Sequence, residues 1–259
     1  MIVDTRRLFA TLLPGLRVSA VCDVGSMNGA DALAFSAAAP RASVYAFEPN
    51  PLNFALMAAD RALHAGNIRI VPLAASDADG EADFFLVAAD YAQRDARRGM
   101  SSLYARAGEW APAEVVRVRT ARLDTFLAQR CACDARLALW IDSEGKAYEV
   151  IAGASGVAGR VLLLHVEVES APCIGAGQKL YPQVKALLAR LGFTELATDQ
   201  YPSQLQFNAL FVRRQLPLHL RLRVAAQLCT ARLRYLAAAA VRGARARLRR
   251  TRAWSLRGA

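Results

Sequence analysis

Between Val21 and Pro51 the chain reads VCDVGSMNGADALAFSAAAPRASVYAFEPNP, and this stretch limits the fold more than any other. A short apolar run ending at Asp23-Val24 enters the turn Gly25-Ser26-Met27-Asn28-Gly29. A helical run over Ala30–Ala39 follows, then Pro40, then a second strand over Ser43–Phe47 that stops at Glu48. Strand, glycine-rich turn, helix, strand and acidic tip are the parts of a βαβ nucleotide-binding unit. Gly25 and Gly29 suit a turn in which backbone takes positive φ or approaches a ligand closely. The N–H groups at the start of the following helix are expected to face an anionic or polar ligand group. Glu48, 25 residues after Asp23, is placed to accept both hydroxyls of a ribose. The plain alternative is a glycine-rich turn of an α/β fold with no ligand, and Glu48 argues against it.

The spacing Gly25-x-x-x-Gly29 is not the G-x-G-x-x-G of a dinucleotide site, and no Gly-Lys-Ser/Thr follows as a P-loop requires. An Asp-x-Gly-x-x-x-Gly turn with an acidic second-strand tip resembles a class I S-adenosylmethionine (SAM) methyltransferase. In that resemblance the turn accommodates the amino-acid end of SAM and has no pyrophosphate to hold.

At 259 residues and 54% hydrophobic content the chain has enough material for one full core and an appendage. Its five cysteines (Cys22, Cys131, Cys133, Cys173 and Cys229) are odd in number and include no C-x-x-C pair, which fits reduced thiols in a cytoplasmic protein. Cys131-Ala-Cys133 reads as a loop before it reads as a metal site. The N-terminus lacks the sustained apolar core of a signal peptide. No run reaches the roughly 18 to 20 uncharged apolar residues of a membrane span. The net charge of +11 is uneven: residues 213–259 hold 13 arginines and no acid, leaving 20 basic and 22 acidic residues in 1–212, a net of −2.

Local patterns extend the opening unit into alternating strands and helices. Residues 4–18 read as a helix ended by Pro14-Gly15. A helix opens at Pro51, with Leu52, Ala55, Leu56, Ala59 and Leu63 as its core face. Asn67–Leu73 is a third strand, and Ala74-Ala75-Ser76-Asp77 follows at its tip, where Ala75 is expected beside an adenine. Glu81–Val87 alternates as a strand typical of a hairpin, and Glu114–Thr120 alternates as an exposed strand. The polar stretch 88–112 between them, containing Met100-Ser101-Ser102-Leu103, is long enough to be functional or mobile. Leu123–Leu127 starts a short helix. Leu137–Ile141 is a buried strand ending in Asp142-Ser143-Glu144-Gly145, and a helix runs on to a closing Gly153. Arg160–Glu169 is a strand, Tyr181–Leu191 a helix capped by Gly192, and Phe193–Ala197 with Leu205–Val212 a terminal hairpin. The expected fold is a three-layer αβα sandwich of Rossmann-like type, with a C-terminal antiparallel hairpin. The domain spans 1–212, and residues 213–259 form an arginine-rich helical tail.

DVGSMNG (23–29), AFEPNP (46–51), AASDADG (74–80), TARLDTFL (120–127), IDSEGKAYEVIAGA (141–154), HVEVE (165–169) and LGF (191–193) together resemble the FkbM family of SAM-dependent methyltransferases. The resemblance covers roughly residues 20–212, and FEPNP combined with Ile-Asp-x-Glu-Gly is its specific part. It implies O-methyl transfer to hydroxyls of sugars, glycans and secondary metabolites. Residue by residue it puts Asp23, Gly25, Ser26, Asn28 and Gly29 around the SAM amino-acid moiety and Glu48 on its ribose. Asp142 and Glu144 then face the transferred methyl group. The chain departs from the pattern at Met27, where the family often has Asn, at Trp140, often Lys, and at Ala147, usually an acid. A non-catalytic SAM-binding member is therefore a rival reading.

Methyl transfer requires an acceptor hydroxyl to be aligned and deprotonated, so Asp142, at the end of the fourth core strand, is expected to act as base or to hold a divalent cation. Asp142 and Glu167 are the expected metal ligands with Glu144 beside them, because hard oxygen donors suit Mg²⁺. The plain alternative for Glu144-Gly145 is a cap on the next helix. His64, His165 and His219 are isolated, and His165, in an apolar strand, reads as a core residue.

In the tail Leu222, Ala225, Cys229, Leu233, Leu236 and Ala240 recur from Leu218 at steps of three and four, flanked by Arg221, Arg223, Arg232 and Arg234. A basic amphipathic helix is expected at a membrane surface, with the protein peripheral at the inner face, or packed on its own domain. The distal part (Arg242–Arg252, with Trp254) reads as disordered when unbound. Nucleic acid, as an RNA-binding protein or RNA methyltransferase, is the rival acidic partner. It is less expected, because Tyr235 and Trp254 are the tail's only aromatic residues.

Overall fold

The fold is described from a computed structural model. The structure describes residues 3–93, 95–201, 204–214, 218–222, 224–226, 228–230, 233 and 237. The main sheet has seven strands: β1 (Ala20–Val24), β2 (Ser43–Phe47), β3 (Ile68–Val71), β7 (Leu137–Ile141), β8 (Val161–Glu169), β9 (Phe193–Thr198) and β10 (Gln206–Arg213). Their order is β3-β2-β1-β7-β8-β10-β9, with β10 antiparallel to both β8 and β9 and the other pairs parallel. The chain leaves β1 to one side for β2 and β3, and later returns to β1's other side as β7. The crevice at the carboxyl ends of β1 and β7 is thus a topological switch point, where ligands bind in open α/β sheets.

Strand periodicity sorts the core into two layers. Cys22, Val24, Leu139 and Ile141 point to the face covered by α5 (Leu123–Ala128), α6 (Ala147–Gly153) and α7 (Tyr181–Arg190). Val21, Val44, Ala138 and Trp140 point to the other face, under α1 (Thr5–Leu16), α2 (Ala30–Ala38), α3 (Pro51–Ala59) and α4 (Arg61–His64). The result is the three-layer αβα sandwich with a C-terminal antiparallel pair.

A second sheet, β4 (Ala74–Ala75), β6 (Pro112–Ala121) and β5 (Gly80–Val87), stands beside the sandwich with its own apolar cluster of Ala74, Phe84, Leu86 and Val118. The two alternating strands expected from the sequence pair antiparallel here, and residues 88–111 connect them.

Several local expectations are corrected. Helix α1 runs through Pro14 and ends at Arg17, whose φ of 49° breaks it. Buried Leu12, Leu13 and Leu16 hold the last turn on the core and offset the hydrogen bond that Pro14 cannot donate. The core face of α3 is Asn53 and Met57, while Leu52 and Leu56 are 44% and 41% exposed. The helix breaks at Asp60, so Leu63 is buried from the separate α4. Gly153 does not close α6 as a positive-φ cap. It lies inside the helix, where a Cβ would overlap the Ser76 carbonyl.

At the end of β10, Arg213 Nη1 donates to the Ala158 carbonyl (2.7 Å) and Arg214 N donates to that of Gly192 (2.9 Å). The described residues from 218 onward are helical. Leu220 and Val224 are buried in the α1–α2 side of the core and Leu228 packs against it. The row Leu222, Ala225, Cys229 and Leu233 faces solvent. The helix therefore docks on the domain through a different face from the stripe picked out by periodicity. Leu236, Ala240, Arg242–Arg252 and Trp254 lie outside the described residues.

Candidate active site

The glycine turn is built from its own backbone. Gly25 N and Ser26 N both donate to the Phe47 carbonyl (3.1 and 3.0 Å), which ties the turn to the end of β2. Met27 N donates to Glu48 Oε2 (2.6 Å), Gly29 N to the Ser26 carbonyl (2.8 Å) and Ala30 N to Asn28 Oδ1 (3.0 Å). The turn's own N–H groups are thus largely engaged, and at the helix start Gly29 N and Ala30 N are engaged as well. Gly25 (φ 84°) and Gly29 (φ 75°) take positive φ as expected. Gly29 serves packing, since a Cβ there would run into the Leu63 side chain.

Of the residues expected around SAM, Gly25, Glu48 and Ala75 line the cavity at the β1–β7 crevice. Asp23 lies beneath it, fully buried, with Oδ2 accepting from Ser26 Oγ (2.6 Å). Burial pushes its carboxyl up to about 8 against the lowering effect of that hydrogen bond. Ser26 is buried in the turn, and Asn28 and Gly29 shape it from outside the cavity. Met27 lines the cavity instead, in the left-handed region at φ 52°. Asparagine tolerates that conformation better than methionine does. Glu48 is 4% exposed, its Oε1 accepting from Asn50 N (2.9 Å), and burial raises its carboxyl to about 7. Leu73, Ala74, Ala75 and Phe84 form an apolar wall on the far side.

The long connection between β5 and β6 roofs this cavity with Ala96, Arg98, Gly99, Ser101 and Leu103. Arg98 is buried; its Nε donates to Asn53 Oδ1 (3.1 Å) and its carbonyl accepts from Asn53 Nδ2 (2.9 Å). This two-point bond explains why α3 turns Asn53 inward in place of a leucine. Asn50 Nδ2 donates to Tyr91 Oη (2.9 Å), and Ser102 Oγ donates to the Glu144 carbonyl (2.7 Å).

The other end of the cavity is acidic. Asp142, Ser143 and Glu144 line it from the tip of β7, and Asp142 N donates to the Val24 carbonyl (2.8 Å). Glu144 adopts φ 48° and Gly145 φ 92°, a tight turn that strains the non-glycine Glu144. Asp142, Glu144 and Glu167 offer carboxylate oxygens all within 4.8 Å of one another. Burial raises Asp142 to about 6 and Glu144 to about 7, and it holds Glu167 well above the usual carboxylate range, with Asp142 and Glu144 adding repulsion. Glu169, raised to about 7 chiefly by burial, adds a fourth acid.

Two residues not singled out in the sequence hold this group together. Arg106 pairs with Glu144 Oε2 and donates from Nε to the Met100 carbonyl (2.8 Å), with only 7% of its side chain exposed. Gln206, at the start of β10, donates from Nε2 to Glu167 (2.7 Å), Glu144 (3.3 Å) and Glu169 (3.4 Å). Residue type and spacing carry no signal for either, because each meets the acids only through the fold. Glu144 is engaged by these side chains, and α6 has no side-chain cap, so the helix-cap alternative fails.

Trp140 points away from the cavity into the other core layer. It stacks on His165 (3.5 Å between ring centroids, 5° between planes) and packs against Phe9 and Phe35. His165 Nε2 pairs with Thr5 Oγ1 (3.1 Å), and burial drives its pKa well down, a neutral core histidine as expected. Ala147 is buried in the α6 layer. Among the described residues, the acidic trio alone has metal-ligand spacing, and Cys131 and Cys133 take no part in it. No helix among the described residues is long and apolar enough to cross a membrane.

The strand order and this crevice define a Rossmann-like α/β protein of the methyltransferase type. Residues 23–195 match the Methyltransferase FkbM domain, and the chain belongs to that family of methyltransferases. No curated protein sequence matches it. Among solved structures, it is similar to the N-terminal domain of EvdMO1 in the presence of SAH and D-fucose (15% identity, 81% of each chain covered, TM-score 0.45). It is similar to an rRNA methylase from Streptococcus thermophilus (13%, 83% of this chain and 99% of the other, 0.46). A third is magnesium protoporphyrin IX methyltransferase from Synechocystis PCC 6803 with bound SAH (15%, 81% of each, 0.43).

Proposed function

We propose that the protein transfers a methyl group from SAM to a hydroxyl of a sugar, glycan or secondary metabolite. The observation that carries this reading is the position of Asp142. It is a half-buried carboxyl lining the cavity that Gly25 and Glu48 also line, and desolvation raises it to about 6. Glu48 keeps lone pairs free beyond those used by Met27 and Asn50, enough to accept ribose hydroxyls. The apolar wall of Leu73, Ala74, Ala75 and Phe84 suits an adenine face.

SAM supplies a methyl group already activated on its sulfonium, which leaves the chain to position the acceptor and take its proton. Asp142, ionised above pH 6, accepts the hydroxyl proton as the oxygen gains the methyl group. Burial and the neighbouring Asp142 and Glu144 raise the Glu167 carboxyl well above the usual carboxylate range, which disfavours a second charge beside Asp142. Arg106 and Gln206 fix Glu144, and the roof from 96 to 103 excludes water. General-base help of this kind is worth roughly 10²–10⁴-fold.

A second reading rests on the acidic trio. Asp142, Glu144 and Glu167 form a hard-oxygen set that fits Mg²⁺, and a bound cation would acidify the acceptor hydroxyl.

Calorimetric titration of SAM into the wild type and Glu48→Ala tests the cofactor site; absent binding by folded wild type would remove the reading. Asp142→Asn, assayed on hydroxylated acceptors with folding retained, is expected to lose turnover by about 10²-fold or more. Activity that survives chelation but not Asp142→Asn selects the base over the metal.

A further inference from the structure

The C-terminal helix carries two apolar faces, and the domain uses one of them. Leu220 and Val224 are buried against the α1–α2 layer and Leu228 packs beside them, steps of four that define the inner face. Leu218, Leu222, Ala225, Cys229 and Leu233 recur at steps of four and three on the outer side. Leu218, Leu222 and Leu233 are 68%, 62% and 68% exposed, the three most exposed large apolar side chains among the described residues. Ordinary surface leucines are scattered singly, whereas a contiguous row marks a contact surface.

Charge identifies the occupant. Residues 213–259 hold 13 arginines and no acidic residue, while residues 1–212 carry a net of −2. Arg213 and Arg214 bond to the domain, and Arg221 is exposed next to Leu222 on the outer row. We infer that this outer face is a docking surface for an anionic lipid bilayer, with the leucine row entering the headgroup–acyl boundary and the arginines meeting lipid phosphates. An apolar row inside a segment of uniform positive charge satisfies both terms of interfacial binding. Nucleic acid would use the arginines and leave the leucines in water. Since the inner face anchors the helix to the sandwich, docking would hold the whole domain at the surface.

The test is flotation of the full chain with vesicles of phosphatidylcholine alone or mixed with phosphatidylglycerol. Retention on the anionic vesicles should exceed that on neutral ones by about tenfold or more and fall with salt. Leu222→Glu/Leu233→Glu should lose about tenfold or more of that binding with an unchanged melting temperature, since both side chains face solvent. If that variant misfolds, Leu222→Ser/Leu233→Ser should show the same loss. Equal binding by the folded variant, no vesicle binding by folded wild type, or a self-associated dimer that leaves vesicles untouched would overturn the inference. So would RNA retention indifferent to the leucine changes without vesicle binding. The readout is binding and requires no methyl transfer, so it stands independently of the proposed reaction.

Discussion

Gly25 lies so close to Asp142 that a Cβ on the glycine would overlap the aspartate's carbonyl oxygen. The first-strand turn and the proposed base thus share one contact, possible only where residue 25 has no side chain. Gly25 also sits at φ 84°, a conformation that costs a residue with a Cβ about 1–2 kcal/mol before any clash. Gly25→Ala is expected to push the tips of β1 and β7 apart, with SAM binding lost and the melting temperature lowered. Calorimetry and a thermal melt would show it; a variant that binds SAM like wild type would mean the two tips are free to separate.

The roof over the cavity depends on one side chain from α3. Asn53 makes both bonds to Arg98, and Asn53→Ala leaves the buried guanidinium without its partner. A buried group so orphaned costs about 1–3 kcal/mol, enough to loosen the part of the connection around Arg98. The expected outcome is faster proteolytic cutting within residues 88–112 and weaker SAM binding. Unchanged cutting would locate the roof's stability elsewhere.

Arg106 lowers the pKa of Glu144, a carboxyl that burial has already raised to about 7. Arg106→Gln removes the cation and raises Glu144 further. If ionised Glu144 is needed, the acidic limb of the pH–activity profile moves to higher pH, and activity recovers more at pH 8 than at pH 6.5 (both about one unit or less from the group's value). A lower but unshifted profile would reduce Arg106 to a scaffold role.

The four clustered acids beside the cavity make stability depend on pH in an unusual direction. Burial raises the folded pKa of Asp142, Glu144, Glu167 and Glu169 above the unfolded values of about 4. Between that value and about 7 the folded state binds more protons than the unfolded chain, so stability falls as pH rises through the window. Glu167→Gln removes one contributor while keeping a side chain that can meet Gln206. The variant should gain on the order of 1 kcal/mol over wild type at neutral pH and nothing at pH near 4. Parallel denaturant titrations at the two pH values would measure it, and a gain confined to acid pH would contradict the electrostatic account.

Features set by local pattern were legible in the chain. The βαβ unit, the buried run before Asp142 and the terminal hairpin lie where alternation, glycines and prolines place them. Gly25, Glu48 and Ala75 reach the cavity from the strand ends that the motif specifies. Asn53 was not legible as a core residue, because its inward rotation depends on Arg98, 45 residues away. Gln206 gives a sharper case. As the first residue of β10 it reads as an ordinary strand start, and it joins three carboxylates only because β10 lies antiparallel beside β8.

The sequence by itself determined the strand and helix order, the acidic tip of β2, the base candidate at the tip of β7 and the concentration of charge in the last 47 residues. Each of these depends on residues close in the chain, where backbone preference and side-chain periodicity act directly. Only the tertiary structure decided that Arg106 and Gln206 bind the acids, that the 88–111 connection roofs the cavity, and which face of the C-terminal helix is buried. Burial and desolvation belong to surfaces assembled from distant segments. Thus the same helix periodicity yields one row of leucines against the core and another in solvent.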